Sequence, residues 1–306
     1  MEMRKVLVTG GAGFIGSHTV DLLLERGIPV RVLDNLTSGH RSNLPRSHSQ
    51  LEFIEGDITS VSTVESAMDG VSHCLHLAAQ VSVEASMQDP LHSAMQNIVG
   101  FVTVLDAAHR AGLKRLVYAS SAAVYGDPSE IPLRETAARQ QLSPYGLEKQ
   151  VDEEYADLYL RIHGLSSLGM RFFNVYGPRQ DPKSPYAGVI ALFVDRITGG
   201  EKLTVFGDGS QTRDFVYVGD VARSNVAALS SQATGACNIG TGNQVTLLDL
   251  IDILSSITGN RCETSFEPAR KGDIKHSLAD VEKMNQALEI TARVSMEQGL
   301  TRLLES

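Results

Sequence analysis

The sequence is poor in cysteine and in long apolar runs, and it contains no tryptophan. Its three cysteines, Cys74, Cys237 and Cys262, are odd in number and far apart, so neither a disulfide framework nor a CxxC metal site is predicted. No stretch approaches the roughly 18 uninterrupted apolar residues that indicate a membrane-spanning helix. No secretory pattern precedes the strand-like VLVTG at 6–10, and we therefore expect a cytoplasmic protein.

Positive charge is also scarce, because 36 acidic residues face 27 lysines and arginines and give a formal net charge of -9. A nucleic-acid partner is therefore unfavourable on electrostatic grounds. With 306 residues, of which 42% are hydrophobic, the chain is long enough for a sizeable core. That length fits one large domain or two closely joined ones.

Short apolar runs alternate with helix-like segments over the first part of the chain. The alternation predicts βαβ units and a parallel sheet. Because the runs are almost continuously hydrophobic, we expect strands that are covered on both faces. The predicted fold class is thus α/β, with a doubly wound, Rossmann-like parallel sheet. The predicted strands are 5–9, 30–34, 51–57, 73–79, 115–121 and 166–173.

A glycine-rich turn, TGGAGFIG at 9–16, joins the first predicted strand to the first helix. Gly10, Gly13 and Gly16 allow a tight turn and let the backbone approach a pyrophosphate, whose charge the helix N-terminus favours. Asp34 ends the next strand, 18 residues beyond Gly16. A carboxylate there can accept a hydrogen bond from a ribose 2′-hydroxyl and would repel a 2′-phosphate. The sequence therefore predicts NAD rather than NADP.

The alternation of apolar runs and helix-like segments becomes less regular after residue 173, where glycine and proline become frequent. We interpret 1–173 as an NAD-binding domain and 174–306 as mainly a smaller, mixed substrate-binding portion. Segments near 215–257, including a strand at 236–240, are expected to return to the main sheet. Helices are predicted near 187–199, 219–230, 246–257 and 294–304.

A second chemical pattern is SPYGLEK at 143–149, where Tyr145 and Lys149 share one face of a predicted helix. Ser121 ends a predicted strand 24 residues earlier, at the carboxyl edge where parallel sheets bind ligands. Tyrosine has a pKa of about 10, so its ionisation at neutral pH needs about 4 kcal/mol of stabilisation of the phenolate. A buried ammonium can contribute to this and an exposed one cannot. Taken alone, the pair is better explained as a surface contact, and it gains its chemical interpretation from the glycine turn, Asp34 and Ser121.

Several longer motifs resemble the extended short-chain dehydrogenase/reductase family, and in particular its nucleotide-sugar epimerases and dehydratases. The resemblance covers nearly all of the chain and includes the GxxGxxG spacing of the glycine turn. The further motifs are GDI at 56–58, HLAA at 76–79, SSAAVYGDP at 120–128, SPYGLEK, RFFNVYGPRQDP at 171–182, GDGSQTRDFVYVGDVA at 207–222 and PARKGDI at 268–274.

The resemblance implies a reaction cycle for a UDP-sugar 4-epimerase. In that branch the tyrosine removes the proton from the sugar O4, hydride passes from C4 to NAD, the 4-keto sugar turns over, and hydride returns to its other face. Tyr145 would be the base, Ser121 would bridge proton and sugar, and Lys149 would lower the tyrosine pKa. The implied cofactor-binding residues are Gly10, Gly13, Phe14, Ile15, Gly16, Asp34, Asn35, Asp57, Ile58, Leu77, Ala78, Ala79, Gln80, Asn97, Tyr145, Lys149 and Phe172.

The same resemblance implies a UDP-sugar site in which arginines clamp the pyrophosphate. A small residue at Ser277 would admit an N-acetyl group at the sugar C2, which favours UDP-GlcNAc and UDP-GalNAc, with UDP-Glc and UDP-Gal as further substrates. Asp181 disfavours a sugar carboxylate. The implied substrate-binding residues are Ser121, Ala122, Tyr145, Asn174, Val189, Thr204, Val205, Phe206, Arg213, Arg270, Asp273 and Ser277.

Two alternatives remain beside this isomerase. Ala122 and Ala123 occupy positions where related dehydratases usually have acids, so elimination lacks its proton-transfer groups. A UDP-glucuronate 4-epimerase, or another short-chain enzyme acting on a nucleotide sugar, is the first alternative. A non-catalytic NAD-binding regulator is the second. The apolar faces of predicted helices 88–112 and 145–163 imply, by the resemblance, a homodimer formed through a four-helix bundle. Packing within one chain would explain the same faces.

Overall fold

The computed structural model describes residues 3–128, 130–181, 188–260, 263–269 and 274–306. Its strands are β1 (Val6–Thr9), β2 (Val30–Asp34), β3 (Leu51–Glu55), β4 (His73–His76), β5 (Arg115–Ser121), β6 (Ser167–Phe172), β7 (Asn174–Tyr176), β8 (Leu203–Phe206), β9 (Thr212–Arg213), β10 (Phe215–Tyr217), β11 (Gly235–Ile239), β12 (Val245–Thr246) and β13 (Thr264–Glu267). In the part of the chain that these ranges cover, no helix combines the length and apolar character needed to cross a membrane.

Helices separate these strands. They are α1 (Phe14–Glu25), α2 (Val61–Met68), α3 (Val83–Gln88), α4 (Pro90–Ala94), α5 (Gly100–Arg110), α6 (Pro144–His163), α7 (Val189–Gly199), α8 (Val218–Ser230), α9 (Leu247–Thr258), α10 (Glu282–Ala287) and α11 (Met296–Leu304). A π-helical turn, Met95–Val99, joins α4 to α5, and a 3₁₀ turn, Ala122–Tyr125, follows β5.

Seven parallel strands form the central sheet in the order β11-β6-β5-β4-β1-β2-β3. The order reverses beside β1, which pairs with both β2 and β4, and the strands' carboxyl ends therefore flank a ligand-binding crevice. The predicted doubly wound α/β sheet is confirmed. From the later part of the chain, β11 joins this sheet by pairing with β6 from Gly235 to Ile239.

Apolar cores cover both faces of the sheet, as the continuous hydrophobicity of the strands predicts. On one face, Val20 and Leu23 of α1 and Val221 of α8 pack against the strands. On the other face, the packing comes from α2, α5 and α6, for example through Val104 and Ala156. A third core lies within the later portion and joins α7, α9 and β8.

The predicted helix at about 88–112 is observed as one continuous helical run from Pro90 to Arg110, formed by α4, the π-helical turn and α5, and it begins after Asp89. Asp89 caps α4 by accepting a hydrogen bond from the His92 backbone N–H at 3.0 Å, and Pro90 occupies the first helical turn. Proline lacks the N–H that would continue α3. The predicted strand 73–79 is also shorter, since β4 ends at His76, level with the last residue of β1.

Candidate active site

The glycine turn is built for close backbone approach. Gly10 has a φ of +67°, and a Cβ atom at that position would lie 2.6 Å from the Ala78 backbone nitrogen. A Cβ atom on Gly16 would collide with the Gly10 carbonyl oxygen. Gly13 begins α1 without any side-chain cap, so the first backbone N–H groups of the helix remain available to an anion. These features fit the pyrophosphate of a dinucleotide.

Asp34 lies at the carboxyl end of β2 and is buried. Its two carboxylate oxygens accept hydrogen bonds from the backbone N–H groups of Ala12 and Leu36, each at 2.9 Å. Two backbone donors therefore hold the carboxylate in place beside the glycine turn. This position fits a ribose hydroxyl donor.

A neighbouring loop carries the next predicted cofactor residues. Asn35 donates a hydrogen bond to Asp57 at 3.0 Å, and the Thr59 backbone N–H donates to Asp57 at 2.8 Å. Partial burial opposes ionisation of Asp57, but these hydrogen bonds outweigh it and lower its pKa. Ile58 is buried under Gly100, where a Cβ atom would collide with it.

Asn97 connects the loop after β4 to α6. Its Oδ1 accepts from the Gln80 backbone N–H at 2.8 Å, and its Nδ2 donates to the Gln80 carbonyl at 2.9 Å and to Glu148 Oε2 at 2.6 Å. Asn97 lies in the π-helical turn, a feature common at functional sites. The turn places Asn97 beside the Leu77–Gln80 segment, while both of its N–H groups are engaged by protein acceptors.

Ser121 and Tyr145 come from two elements that touch. Ser121 ends β5, and its Oγ accepts from the Ala123 backbone N–H at 3.1 Å, which leaves the hydroxyl proton free to donate. Tyr145 lies in the first turn of α6, which Ser143 caps through the Gly146 N–H at 3.1 Å. A Cβ atom on Gly146 would lie 2.7 Å from the Ala123 carbonyl oxygen, so only glycine permits this contact.

Lys149 is buried one turn beyond Tyr145 on α6. Its Nζ lies 6.0 Å from the centroid of the Tyr145 ring and 3.2 Å from Asp152 Oδ2. The side chain is 3% exposed, and the alternative of a water-exposed surface pair is therefore wrong for Lys149.

A cavity of about 200 Å³ lies at the carboxyl ends of β5 and β6. This volume is below the roughly 300–1,000 Å³ of pockets for drug-sized ligands, so the cavity has room for only part of a ligand of that size. Six predicted residues line it: Ser121, Ala122, Phe172, Asn174, Arg213 and Ser277. The prediction missed other lining residues, including Ala123, Leu133, Phe173, Ile274 and His276.

Other predicted residues lie elsewhere or outside the described ranges. Among described residues, the cavity lining does not include Tyr145, Val189 or the β8 residues Thr204, Val205 and Phe206. Val205 is 1% exposed within the third core, which leaves only its main chain for a ligand. Arg270, Asp273 and Cys262 lie outside the residues that the structure describes.

Two acidic neighbours of Lys149 were also missed. Glu148 and Asp152 are both buried on α6, although acidic residues usually lie at the surface. Their spacing from Lys149, one residue before and three after, was visible in the sequence. A position three residues along a helix shares the lysine's face, and this spacing was the available signal for Asp152.

Residues 6–240 match the model of a family described as the NAD dependent epimerase/dehydratase family. The chain belongs to this family. It is 40% identical to the structure of a UDP-glucose 4-epimerase from Thermotoga maritima with UDP-glucose, with a TM-score of 0.94 and coverage of 98% of this chain and 97% of the other.

Two further solved structures are similar over their whole length. A UDP-N-acetylglucosamine 4-epimerase from Methanobrevibacter ruminantium, in complex with UDP-N-acetylmuramic acid, is 35% identical with a TM-score of 0.96, covering 100% of this chain and 98% of the other. A UDP-glucose 4-epimerase from Thermus thermophilus, in complex with NAD, is 37% identical with a TM-score of 0.91, covering 98% of each chain. Membership of the NAD dependent epimerase/dehydratase family confirms the family resemblance and the predicted NAD cofactor.

Proposed function

We propose that this protein is an NAD-dependent UDP-sugar 4-epimerase that acts on UDP-GlcNAc and UDP-GalNAc, with UDP-Glc and UDP-Gal as further substrates. The observation that carries the proposal is the meeting of α6 and the end of β5. There Gly146, the residue after Tyr145, lies against Ala123 in the turn that follows β5, and Ser121 at the end of β5 lines a cavity. Lys149 is buried one turn beyond Tyr145 on the same helix. The names of the similar structures support the same reaction class.

The residues around the glycine turn would hold the cofactor. Gly13 and the free first turn of α1 would bind the pyrophosphate, and Asp34 would accept a hydrogen bond from the adenosine ribose. Bound there, the cofactor would supply reversible hydride transfer at the sugar C4. Lys149 would hold the nicotinamide ribose while its charge acts on Tyr145.

The protein's own contribution is the movement of one proton. Tyr145 would take the proton from the sugar O4 as C4 loses hydride, and would return it when hydride is added to the other face. Ser121 can relay that proton, because its Oγ already accepts from Ala123 N–H and its own hydrogen is free to donate. Ala122 and Ala123 provide no acid for elimination, and epimerisation is therefore the outcome.

The sugar preference rests on Ser277, which is 8% exposed and lines the cavity beside Asn174 and Arg213. A serine leaves space where a tyrosine ring would fill it, so an acetamido group can be accommodated. Asn174 is neutral and can bond a hydroxyl or a phosphate. Arg213 would contribute a cation to the pyrophosphate.

The decisive experiment incubates the purified protein separately with UDP-Glc, UDP-GlcNAc and UDP-GlcA and follows C4 by NMR. We expect inversion at C4 of the first two sugars, fastest for UDP-GlcNAc. Tyr145→Phe should reduce turnover by about 10²–10⁴-fold, the usual contribution of a general base, while UDP-sugar binding persists. Tyr155→Phe, a half-exposed tyrosine on the same helix, is the matched control.

Each other outcome has a defined meaning. Turnover of UDP-GlcA alone would replace the proposed substrate by that of the glucuronate branch. Near-normal activity of Tyr145→Phe would show that Tyr145 is not the general base. Binding of NAD without turnover of any of the three sugars would favour the non-catalytic regulator.

We also propose a homodimer formed through the outer surface of α3–α6. Large apolar side chains are exposed there, and such surfaces mark interaction sites. They include Val83, Met87, Leu91, Met95, Val99, Leu147, Leu158 and Ile162. Light scattering should give twice the chain mass, and a monomer at micromolar concentration would overturn this proposal.

A further inference from the structure

Lys149 shares its buried position with two acids. Its Nζ lies 3.2 Å from Asp152 Oδ2, and the Asp152 side chain is 0% exposed. Glu148 Oε2 accepts hydrogen bonds from Ser93 Oγ at 2.8 Å and from Asn97 Nδ2 at 2.6 Å. Among the described residues, nothing donates to Asp152 Oδ1 or to Glu148 Oε1. One ammonium and two carboxyl groups therefore share an interior that is incompletely hydrogen-bonded.

The charge balance of this group favours retention of a proton. If both acids were ionised, the group would carry a net negative charge away from water, which is costly. Asp152 is the acid with fewer stabilising contacts, since Lys149 is its single described donor, whereas Glu148 has two. Burial raises the pKa of Asp152 to about 7, against the attraction of the Lys149 ammonium, and the Glu148 charge adds to the rise.

Among the described residues, the other titratable groups that face this site do not take the place of Asp152 as the group that gains or loses a proton near neutral pH. Burial raises the pKa of Tyr118 on β5, and the charges of Glu153 and Asp152 add to that effect, so Tyr118 stays neutral. Burial, with the nearby Lys149 charge, lowers the pKa of His76 on β4 to about 3, and His76 is therefore neutral as well. Glu153 is paired with Arg171 of β6 at 2.7 Å. From α3, α4 and the π-helical turn, the side chains that hydrogen-bond to this part of α6 are neutral: Ser86, Ser93 and Asn97.

We propose that Asp152 is a positioning residue that sets how strongly the Lys149 ammonium acts on the Tyr145 hydroxyl. The inference rests on the proposed role of Tyr145 as the base. The same Nζ lies 3.2 Å from Asp152 Oδ2 and 6.0 Å from the centroid of the Tyr145 ring. An ionised Asp152 offsets part of the electrostatic effect of the Lys149 ammonium on Tyr145. A protonated Asp152 does not reduce that effect. Asp152 therefore opposes ionisation of Tyr145 as the pH rises through neutrality.

The test compares Asp152→Asn with Asp157→Asn. The control removes an acid of the same type five residues along the same helix, where Asp157 is 59% exposed and paired with Arg161. Two quantities are measured against pH: kcat/KM with the UDP-sugar that the unsubstituted protein turns over fastest, and the phenolate absorbance of Tyr145, taken as a difference from Tyr145→Phe. The absorbance needs no turnover.

In Asp152→Asn, the acid limb of kcat/KM and the phenolate midpoint should both move to lower pH by about one pH unit, the lower end of the effect of a nearby charge. Asp157→Asn should match the unsubstituted protein. An unmoved or raised midpoint in Asp152→Asn would overturn the proposal, as would a uniform loss of kcat with no change in pH profile. Asp152→Thr provides the same comparison if the asparagine variant does not fold.

Failure of the proposed function gives a different pattern. If Tyr145→Phe stays active, Tyr145 is not the base, whatever the Asp152 variants do. If Tyr145→Phe is inactive and the Asp152 variants leave the phenolate midpoint unchanged, the base remains and the positioning role of Asp152 is wrong.

Discussion

Asp152 and Glu153 are consecutive acids on α6, but they enter two very different buried environments. Glu153 accepts from Arg171 Nε and Nη2 at 2.8 and 2.7 Å, from Ser120 Oγ at 2.6 Å and from Arg139 Nη1 at 3.4 Å. Asp152 accepts one bond from Lys149, and its second oxygen has no described donor. The two neighbours show that burial alone does not decide the role of a charge.

The hydrogen bonds of Glu153 hold α6 against β5 and β6. A bidentate arginine pair has fixed geometry, and further donors satisfy the remaining lone pairs. Tyr125 extends the network by accepting from Arg171 Nη1 at 2.8 Å and donating to Asn238 on β11 at 2.6 Å. The Lys149–Asp152 region has fewer hydrogen bonds among the described residues, and burial raises the pKa of Asp152 to about 7.

The largest expected effect comes from breaking the satisfied pair. Arg171→Met should reduce the free energy of unfolding by about 3–5 kcal/mol, because Glu153 would remain buried without its main counter-charge. Urea unfolding at neutral pH measures the loss. Arg161→Met, which removes an exposed ion pair with Asp157, should cost less than about 1 kcal/mol. Equal losses in the two variants would contradict the structural role of Arg171.

Substitution of Asp152 in the Lys149–Asp152 pair should change the free energy of unfolding by a smaller amount, and this change should depend on pH. The folded-state pKa of Asp152, about 7, is above its ordinary value near 3.8, so the folded protein binds more protons than the unfolded chain between these values. Its contribution to the free energy of unfolding therefore falls as pH rises through that window. Asp152→Asn should gain stability relative to the unsubstituted protein from pH 5 to pH 8 in thermal unfolding.

Asp157→Asn again provides the matched control for this measurement. Because Asp157 is exposed, its variant should follow the pH dependence of the unsubstituted protein. Stability curves of Asp152→Asn and the unsubstituted protein that run parallel across this range would contradict the assignment of the buried proton to Asp152.

The smallest effect on stability is expected at Ser277, which belongs to neither charged region. Ser277→Tyr should suppress turnover of UDP-GlcNAc while sparing UDP-galactose, because the ring would occupy the space proposed for the acetamido group. Both charged pairs remain intact, so the pH dependence of kcat/KM should not change. Parallel kinetics with the two sugars measure the preference, and an equal loss for both would count against the proposed gate.

The sequence was sufficient for the sheet and for the backbone chemistry of the glycine turn. Apolar runs and glycine spacing are local signals, and they predicted the parallel strands and the tight turn that brings Gly10 against the loop after β4. The contact between α6 and the end of β5 was less accessible, because it depends on how two distant segments pack. The joint role of Ser121 and Tyr145 in one site therefore stays a prediction, which rests mainly on the resemblance.

The burial of Asp152 and Glu153 was not predictable from composition. Both acids are polar residues in a helix with many charges, where exposure to water is the usual outcome. Their burial depends on the angle at which α6 lies against β5 and β6, which no local pattern encodes. Asn97 was predicted as a cofactor contact, but the π-helical turn also directs it towards Gln80 and Glu148.

The position of β11 has a consequence for how the chain is made. Until residue 239 has left the ribosome, β6 has a neighbour on one side and an unpaired edge on the other. Open edges recruit other strands, and partly made chains are therefore vulnerable to aggregation. A fragment that stops at residue 173 would keep that edge permanently. Completion of the nucleotide-binding sheet thus waits for more than three quarters of the polypeptide to be synthesised.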